Sequence, residues 1–133
     1  MNKYPIRLIA RLDIKGDRVV KGINLEGVRQ VGDPKLLAKK YYDQGVDEII
    51  YMDVVASLYE RNTITKFIKE AASNIFVPMI VGGGIRSVED IRNVLKSGAD
   101  KVAINTAAIK NNKFIQEASQ AIGSQSIIVS IEA

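Results

Sequence analysis

Three consecutive glycines, Gly82–Gly84, are the residues of this sequence best suited to bind an anion. They follow the apolar run Ile75–Val81, and Ser87 with Asp90 three residues later forms a capping-box pattern that predicts a helix start. Because glycine lacks Cβ and reaches positive φ, the backbone N–H groups of such a connection can approach an anion closely. The turn has neither a Walker A nor a GxGxxG pattern. It therefore indicates either an anion-binding turn or a tight connection without a ligand, and the sequence leaves both open.

Polar residues and glycines also end the other apolar segments that are typical of strands. These positions are Asp13, Asp53, Gly82–Gly84, Asn105 with Thr106, and Glu132. In a parallel sheet the carboxyl ends of the strands meet at one edge, where ligand sites form. A carboxylate that ends a buried strand is costly without a partner or a chemical role. We therefore expect a site at this edge, although a structural hydrogen-bonding role is open for each acid taken alone.

Composition restricts the chemistry of that site. The chain has 133 residues, about one small domain, with no cysteine and no histidine. Thiol nucleophiles, thiolate metal sites and the commonest general base are therefore excluded, and acid–base chemistry falls to carboxylates, lysines or tyrosines. The net charge of +4 comes from dispersed basic residues, so we expect no nucleic-acid partner. The sequence has no apolar run of membrane-spanning length and no signal-peptide core, which predicts a soluble, cytoplasmic protein without a membrane partner.

The elements that must position these residues alternate between strand and helix. Strands are predicted at residues 6–13, 46–53, 75–81, 101–105 and 126–131, and helices at 34–44, 63–72, 88–97 and 112–121. A long connection, residues 15–32, is predicted to contain a short strand or hairpin at Arg18–Ile23. This order predicts an α/β fold with a parallel sheet.

Two turns from helix to strand share the pattern glycine, small residue, aspartate. They are Gly45-Val46-Asp47 and Gly98-Ala99-Asp100. Either the two units descend from one ancestor, or such turns converge on this pattern, and the sequence does not decide between these explanations.

Five longer motifs identify a family resemblance. They are residues 12–22 (LDIKGDRVVKG), 52–57 (MDVVAS), 81–86 (VGGGIR), 98–108 (GADKVAINTAA) and 123–125 (GSQ). With these motifs the chain resembles the cyclase subunit of imidazole glycerol phosphate synthase, a (β/α)8 TIM barrel of histidine biosynthesis. The resemblance covers residues 1–133 but only the N-terminal half of the family. It implies four βα units plus strand five, as a half-barrel or a fragment of a phosphate-binding barrel.

The resemblance also implies a reaction and its residues. The family closes an imidazole ring with ammonia from a glutaminase partner, converting a phosphorylated substrate into imidazole glycerol phosphate and AICAR, and no metal or organic cofactor is implied. By resemblance, Asp13 and Glu132 would be catalytic, and Gly84, Asn105 and Thr106 would bind phosphate. Lys21 and Asp53 would bind the substrate at the rim. At the opposite end, Arg7, Glu48 and Lys101 would form an ammonia gate, and Asp100 would lie at the glutaminase interface.

Three features depart from the family pattern. Glu132 stands where the family has aspartate, and Arg11 stands where it usually has cysteine, which places a positive charge near Asp13. The chain is also shorter than the roughly 250 residues of a complete barrel, so two open parallel edges are expected and the chain alone is expected to be inactive. Two alternative functions remain open: a paralogous ammonia-channelling subunit for sugar amidation in surface-polysaccharide biosynthesis, and a non-catalytic phosphate-binding half-barrel.

Overall fold

After three consecutive strands, helices and strands alternate along the chain in the order that the sequence predicts, and the third of these strands, at residues 27–32, was not predicted. The computed structural model describes residues 6–23, 27–54, 61–105 and 110–131. The strands are β1 (Ile9–Lys15), β2 (Arg18–Ile23), β3 (Gly27–Gly32), β4 (Glu48–Asp53), β5 (Met79–Gly82), β6 (Lys101–Ile104) and β7 (Ile127–Val129). The helices are α1 (Pro34–Asp43), α2 (Arg61–Ala72), α3 (Val88–Lys96) and α4 (Lys113–Ile122). In the described part of the chain no helix is both long and apolar enough to cross a membrane.

All seven strands form one sheet, in the order β3-β2-β1-β4-β5-β6-β7. Strands β1, β4, β5, β6 and β7 are mutually parallel. The predicted α/β class is therefore confirmed, and the run of parallel strands linked through helices agrees with the first half of a (β/α)8 barrel.

A β-hairpin pairs with the carboxyl-terminal end of β1. Strand β2 pairs antiparallel with β1, matching Ile14 with Val19 and Lys15 with Arg18, and β3 pairs antiparallel with β2. The predicted strand at Arg18–Ile23 is confirmed. The turn at Gly16, with φ 61°, returns the chain against β1, but the pairing includes only Ile14 and Lys15. The expected open edge is therefore covered at these two residues, and the register of the hairpin does not extend to residues 9–13 of β1.

The helices begin where local capping predicts. The Asp33 side chain accepts a hydrogen bond from Lys35 N before Pro34 starts α1. At α3, Ser87 Oγ accepts from Asp90 N at 3.1 Å. The Asp90 carboxylate accepts in return from Arg86 N at 3.0 Å, which completes a reciprocal capping arrangement. The helix after the glycine turn is thereby fixed by residues adjacent to that turn.

The largest boundary difference lies before β5, which begins at Met79 rather than Ile75. The Ile75 amide donates to the carbonyl of Ala71, so this residue lies in the turn that follows α2 and not in the strand. At the other end of the sheet, β1 extends to Lys15, beyond the predicted end at Asp13.

The two faces of the sheet have different roles. One face packs under the helices and forms the apolar core; its most deeply buried strand residues are Ile49, Tyr51, Val81, Val102 and Ile104. The alternate residues form what we call the inner face: Arg11 and Asp13 on β1, Ile50 and Met52 on β4, Ile80 and Gly82 on β5, and Lys101 and Ala103 on β6. The polar residues predicted to be functional are concentrated along this inner face and its ends.

Candidate active site

The glycine turn lies against the end of the neighbouring strand. Gly83 and Gly84 have φ angles of 93° and 69°, in the region that favours glycine. A Cβ at Gly83 would lie 2.1 Å from the backbone oxygen of Asp53, at the end of β4. Glycine at this position is therefore required by packing as well as by φ, and the turn's backbone is held at the carboxyl ends of β4 and β5.

A cleft of about 820 Å³ opens at these strand ends. It brings together three of the predicted residues, Asp53, Gly84 and Asn105, which come from three successive parallel strands. Ser130, beyond β7, also lines it. The cleft has the size of a small-molecule site, and its position agrees with the general placement of sites in parallel α/β folds.

Basic side chains surround this cleft. Arg11, Arg86 and Lys110 line it, and Asp53 is the carboxylate among the lining residues that the structure describes. This excess of positive charge favours an anionic ligand. Arg86 was missed by the sequence-based prediction, although its position directly after the glycine turn was a usable signal. Lys110 was also missed, and no pattern around it indicates a site.

Asp13 lies within β1, because the strand continues to Lys15. Its carboxylate Oδ1 accepts a hydrogen bond from Arg11 Nε at 2.9 Å, and their side chains are 37% and 46% exposed. The expectation that Arg11 brings positive charge near Asp13 is therefore confirmed, and the two groups are in direct contact.

Asp53 is the most buried of the predicted carboxylates at this end of the sheet, with 8% exposure. It borders the large cleft and also a second cavity of about 420 Å³ between α2 and α3. Both cavities include Gly83 and Gly84, so the glycine turn and Asp53 together separate the inner face from the helical layer.

Three of the predicted residues cannot be placed in this site. Thr106 and Glu132 lie outside the described residues. The backbone of Lys21 pairs with Arg29 in the hairpin, but its side chain lies outside the described part of the molecule. Their predicted roles stay predictions.

The opposite end of the inner face carries a charged cluster that joins the three predicted gate residues. Glu48 is 4% exposed, and its Oε1 accepts from Arg7 Nη2 at 2.7 Å. The Nζ atom of Lys101 lies 3.7 Å from the same oxygen. Two cations from flanking segments thus compensate a buried carboxylate, as burial of charge requires.

Asp100 has a structural contact at the same end of the sheet. Its Oδ2 accepts from Met79 N at 2.8 Å, while its own amide donates to Met79 O at 2.8 Å. This double contact ties the turn before β6 to the start of β5. Its predicted place in a partner interface stays a prediction.

Comparison with known proteins agrees with this architecture. The family model described as "Histidine biosynthesis protein" matches residues 7–133. The imidazole glycerol phosphate synthase subunit HisF of Legionella pneumophila is 57% identical over 128 residues, covering 96% of this chain and 60% of the relative. The subunit of the same name from Thermococcus onnurineus (strain NA1) is 48% identical over 127 residues, covering 96% of this chain and 50% of the relative.

The chain therefore spans between half and three fifths of the length of these curated relatives. The match extends over nearly the whole chain and includes the glycine turn, the inner-face residues and both charged ends. On this evidence the chain belongs to the histidine biosynthesis protein family, as the sequence motifs indicated.

Proposed function

We propose that this chain supplies the N-terminal half of a cyclase that closes the imidazole ring with ammonia and releases imidazole glycerol phosphate and AICAR. The observation that carries the proposal is the arrangement of the inner face. A basic cleft with a glycine turn lies at one end, and a buried carboxylate between two cations lies at the other. The names of the two relatives, both subunits of imidazole glycerol phosphate synthase, support the same reaction.

The cleft would hold one phosphate of the substrate. Gly84 and Asn105, with Thr106, are the proposed phosphate-binding residues, and Lys21 and Asp53 would contact the substrate at the rim. Backbone N–H groups at positive-φ glycines can converge on phosphate oxygens. Arg86 and Lys110 line the same cleft and would add positive charge near the phosphate.

Asp13 and Glu132 would exchange protons with the substrate as the ring closes. Asp13 is on the inner face beside a residue that lines the cleft, a position compatible with general acid–base chemistry. Glu132 keeps the carboxylate of the family's aspartate but adds one methylene. A misplacement near 1 Å can cost about 100-fold in rate. The rate of the proposed reaction therefore depends on where this longer side chain places its carboxylate.

Ammonia would enter at the opposite end, past Arg7, Glu48 and Lys101. The two relatives are named as subunits, which supports a partner protein, and the proposed partner is a glutaminase that releases ammonia at this end. Asp100 is at the same end of the strands and would lie near that interface.

The departures at Arg11 and Glu132 favour the sugar-amidation subunit, but identities of 57% and 48% to two imidazole glycerol phosphate synthase subunits support the cyclase more strongly. No observation favours the non-catalytic half-barrel.

The test is an ammonia-driven cyclase assay. It uses the full-length protein that contains this segment, at high ammonium so that no glutaminase is needed, and compares Glu132 with Glu132→Asp. Turnover by the unsubstituted protein is the expected result and would show that the longer side chain is tolerated. Turnover only by Glu132→Asp would mean that the natural reaction differs from the proposed one. No turnover by either variant, with phosphate still bound, would reject the proposal.

A further inference from the structure

The contact between Arg11 and Asp13 joins the proposed acid–base residue to the cleft. Both side chains lie on the inner face of β1, two residues apart, and Arg11 Nε donates to Asp13 Oδ1 at 2.9 Å. Arg11 lines the cleft of about 820 Å³, whereas Asp13 is not among its lining residues. Arg11 therefore contacts the Asp13 carboxylate and also borders the cavity in which a ligand would bind.

The neighbouring strand does not offer Asp13 a comparable partner. In the parallel register of β1 and β4, Arg11 lies opposite Ile50 and Asp13 lies opposite Met52. Both β4 side chains are on the inner face, and neither can donate a hydrogen bond. Among the described contacts, the hydrogen bond that the Asp13 carboxylate accepts comes from its own strand, from Arg11.

Stability alone gives little reason for this ion pair. The Arg11 and Asp13 side chains are 46% and 37% exposed, and ion pairs of such exposure contribute little to folding. A planar guanidinium group, however, fixes a carboxylate in a defined direction. A proton-transfer group needs such control, because its rate depends strongly on its position relative to the substrate.

We propose that Arg11 is a positioning residue, which holds the Asp13 carboxylate in the orientation used for proton transfer. The inference rests on the proposed function, and it gives a role to the residue that departs most in chemistry from the family pattern. Arg11 acts through Asp13 and not by binding substrate itself. This distinction makes the inference testable.

The experiment measures kcat and KM of the full-length protein with saturating ammonium. The variants are Arg11→Gln, Arg11→Lys, Asp13→Asn and the Arg11→Gln/Asp13→Asn double variant. Arg11→Gln is expected to lower kcat by about 100-fold, the loss typical of a misplaced group, while KM changes by less than about threefold. Arg11→Lys is expected to regain part of kcat, because an ammonium group on the same face still interacts with the carboxylate. In the Asp13→Asn background, Arg11→Gln is expected to cause no further loss.

The matched control is Arg92→Gln. Arg92 Nη1 lies 3.9 Å from Glu89 Oε2 on α3, and the Arg92 side chain is 48% exposed, close to the exposure of Arg11. Arg92 does not line the described cleft. Its substitution removes an exposed ion pair with the same chemistry and is expected to leave kcat and KM unchanged.

Three outcomes would overturn the inference: an unchanged kcat in Arg11→Gln, a raised KM with unchanged kcat, or an equal loss from Arg11→Gln in the Asp13 and Asp13→Asn backgrounds. Circular dichroism establishes that each variant is folded. If Arg11→Gln does not fold, Arg11→Lys decides, since a lower kcat at constant KM supports positioning and an unchanged kcat contradicts it. Absence of turnover in the unsubstituted protein would instead reject the proposed function, and this inference with it.

Discussion

Burial controls the protonation of the Tyr51 hydroxyl. Tyr51 is fully buried in β4, and its ring packs edge-on against Phe67 with 4.9 Å between centroids. Within the described part of the chain, its hydroxyl has no hydrogen-bond partner. Burial raises the pKa of Tyr51 well above its usual value of 10.0. The folded protein therefore keeps this phenol protonated at a pH where the unfolded chain would ionise it.

Tyr51→Phe is expected to keep the free energy of unfolding at neutral pH or raise it by up to about 1 kcal/mol, because an unpartnered buried hydroxyl is removed. Because the pKa of Tyr51 is higher in the folded than in the unfolded protein, its ionisation leaves the free energy of unfolding unchanged below about pH 10. Above that pH the unfolded chain ionises first, and the free energy of unfolding falls. The variant should therefore lose less stability than the unsubstituted protein in alkaline solution. Urea unfolding at pH 7 and above pH 10 measures this difference, and Tyr42→Phe, which leaves Tyr51 in place, is the control. Equal alkaline losses with and without Tyr51 would contradict the prediction.

Two separate effects disfavour any side chain at Gly83, its positive φ and the lack of room for a Cβ. A comparison with Gly45 separates them. Gly83→Ala is expected to cost about 1–3 kcal/mol from its φ of 93° alone, and more from the contact of a Cβ with Asp53 O. Gly45 has a φ of 91°, but a Cβ added there would meet no described atom within 4 Å, so Gly45→Ala carries the backbone cost without the clash. Urea unfolding of both variants should show the larger loss at Gly83, together with weaker phosphate binding. Equal losses would mean that the clash relaxes freely.

At the scale of elements, the two turns with the pattern glycine, small residue, aspartate make the same contact. Asp47 Oδ2 accepts from Leu8 N at 2.6 Å, just as Asp100 Oδ2 accepts from Met79 N at 2.8 Å. In each case the aspartate amide donates back to the same residue, to Leu8 O and Met79 O respectively. Each aspartate thus fastens its turn to the segment beside it. This shared contact gives the repeated pattern a structural role, which common ancestry and convergence would both preserve.

Asp100→Ala is expected to destabilise the protein by about 1–3 kcal/mol, because the amide of the buried Met79 loses a charged acceptor. Asp100→Asn keeps a side-chain oxygen and should cost less. Asp47→Ala is the matched variant at the second turn and should cost less, because its donor residue Leu8 is 63% exposed and water can replace the lost acceptor. Chemical denaturation of the three variants measures the contribution of the contact. An Asp100→Ala variant as stable as the unsubstituted protein would show that the turn does not depend on its side chain.

At the scale of the whole molecule, the inner face has two chemically different ends. The cleft lies at the carboxyl ends of the parallel strands, and the cluster of Arg7, Glu48 and Lys101 lies at their amino ends. The hairpin of β2 and β3 pairs with the end of β1, at Ile14 and Lys15. The apolar inner-face residues between the two ends include Ile50 and Met52, which are partly exposed. Under the proposed function, ammonia would move along this surface from one end to the other.

Glu48→Gln tests this arrangement under the proposed function. Removing the charge leaves Arg7 and Lys101 without their shared carboxylate, so these two side chains are expected to move apart. Turnover driven by glutamine, in complex with the glutaminase, is expected to fall by about tenfold or more, equivalent to about 1.4 kcal/mol of activation free energy. Turnover driven by added ammonium should change little, because the cleft is at the other end. Equal losses in both assays would contradict a role in ammonia entry.

Much of the fold was predictable because its signals are local. Helix starts at Asp33 and Ser87 depend on side chains that reach the backbone two or three residues away. The parallel sheet followed from apolar segments that alternate with amphipathic ones, and the gathering of Asp53, Gly84 and Asn105 followed from the common edge of parallel strands. Family membership followed from motifs that span the chain. The amino-acid sequence by itself therefore determined the fold class, the edge of the sheet that carries the cleft and the family.

Only the tertiary structure decided which side chains meet. The contact of Arg11 with Asp13 depends on rotamers, and the placement of Arg86 and Lys110 around one cleft depends on how loops fold over the strand ends. The pairing of the hairpin with the end of β1 depends on antiparallel contacts that the predicted strand or hairpin at Arg18–Ile23 did not reveal. Local patterns decide whether a segment becomes a helix or a strand. Contacts between segments far apart in the chain depend on sheet register and packing, which no short stretch of sequence contains.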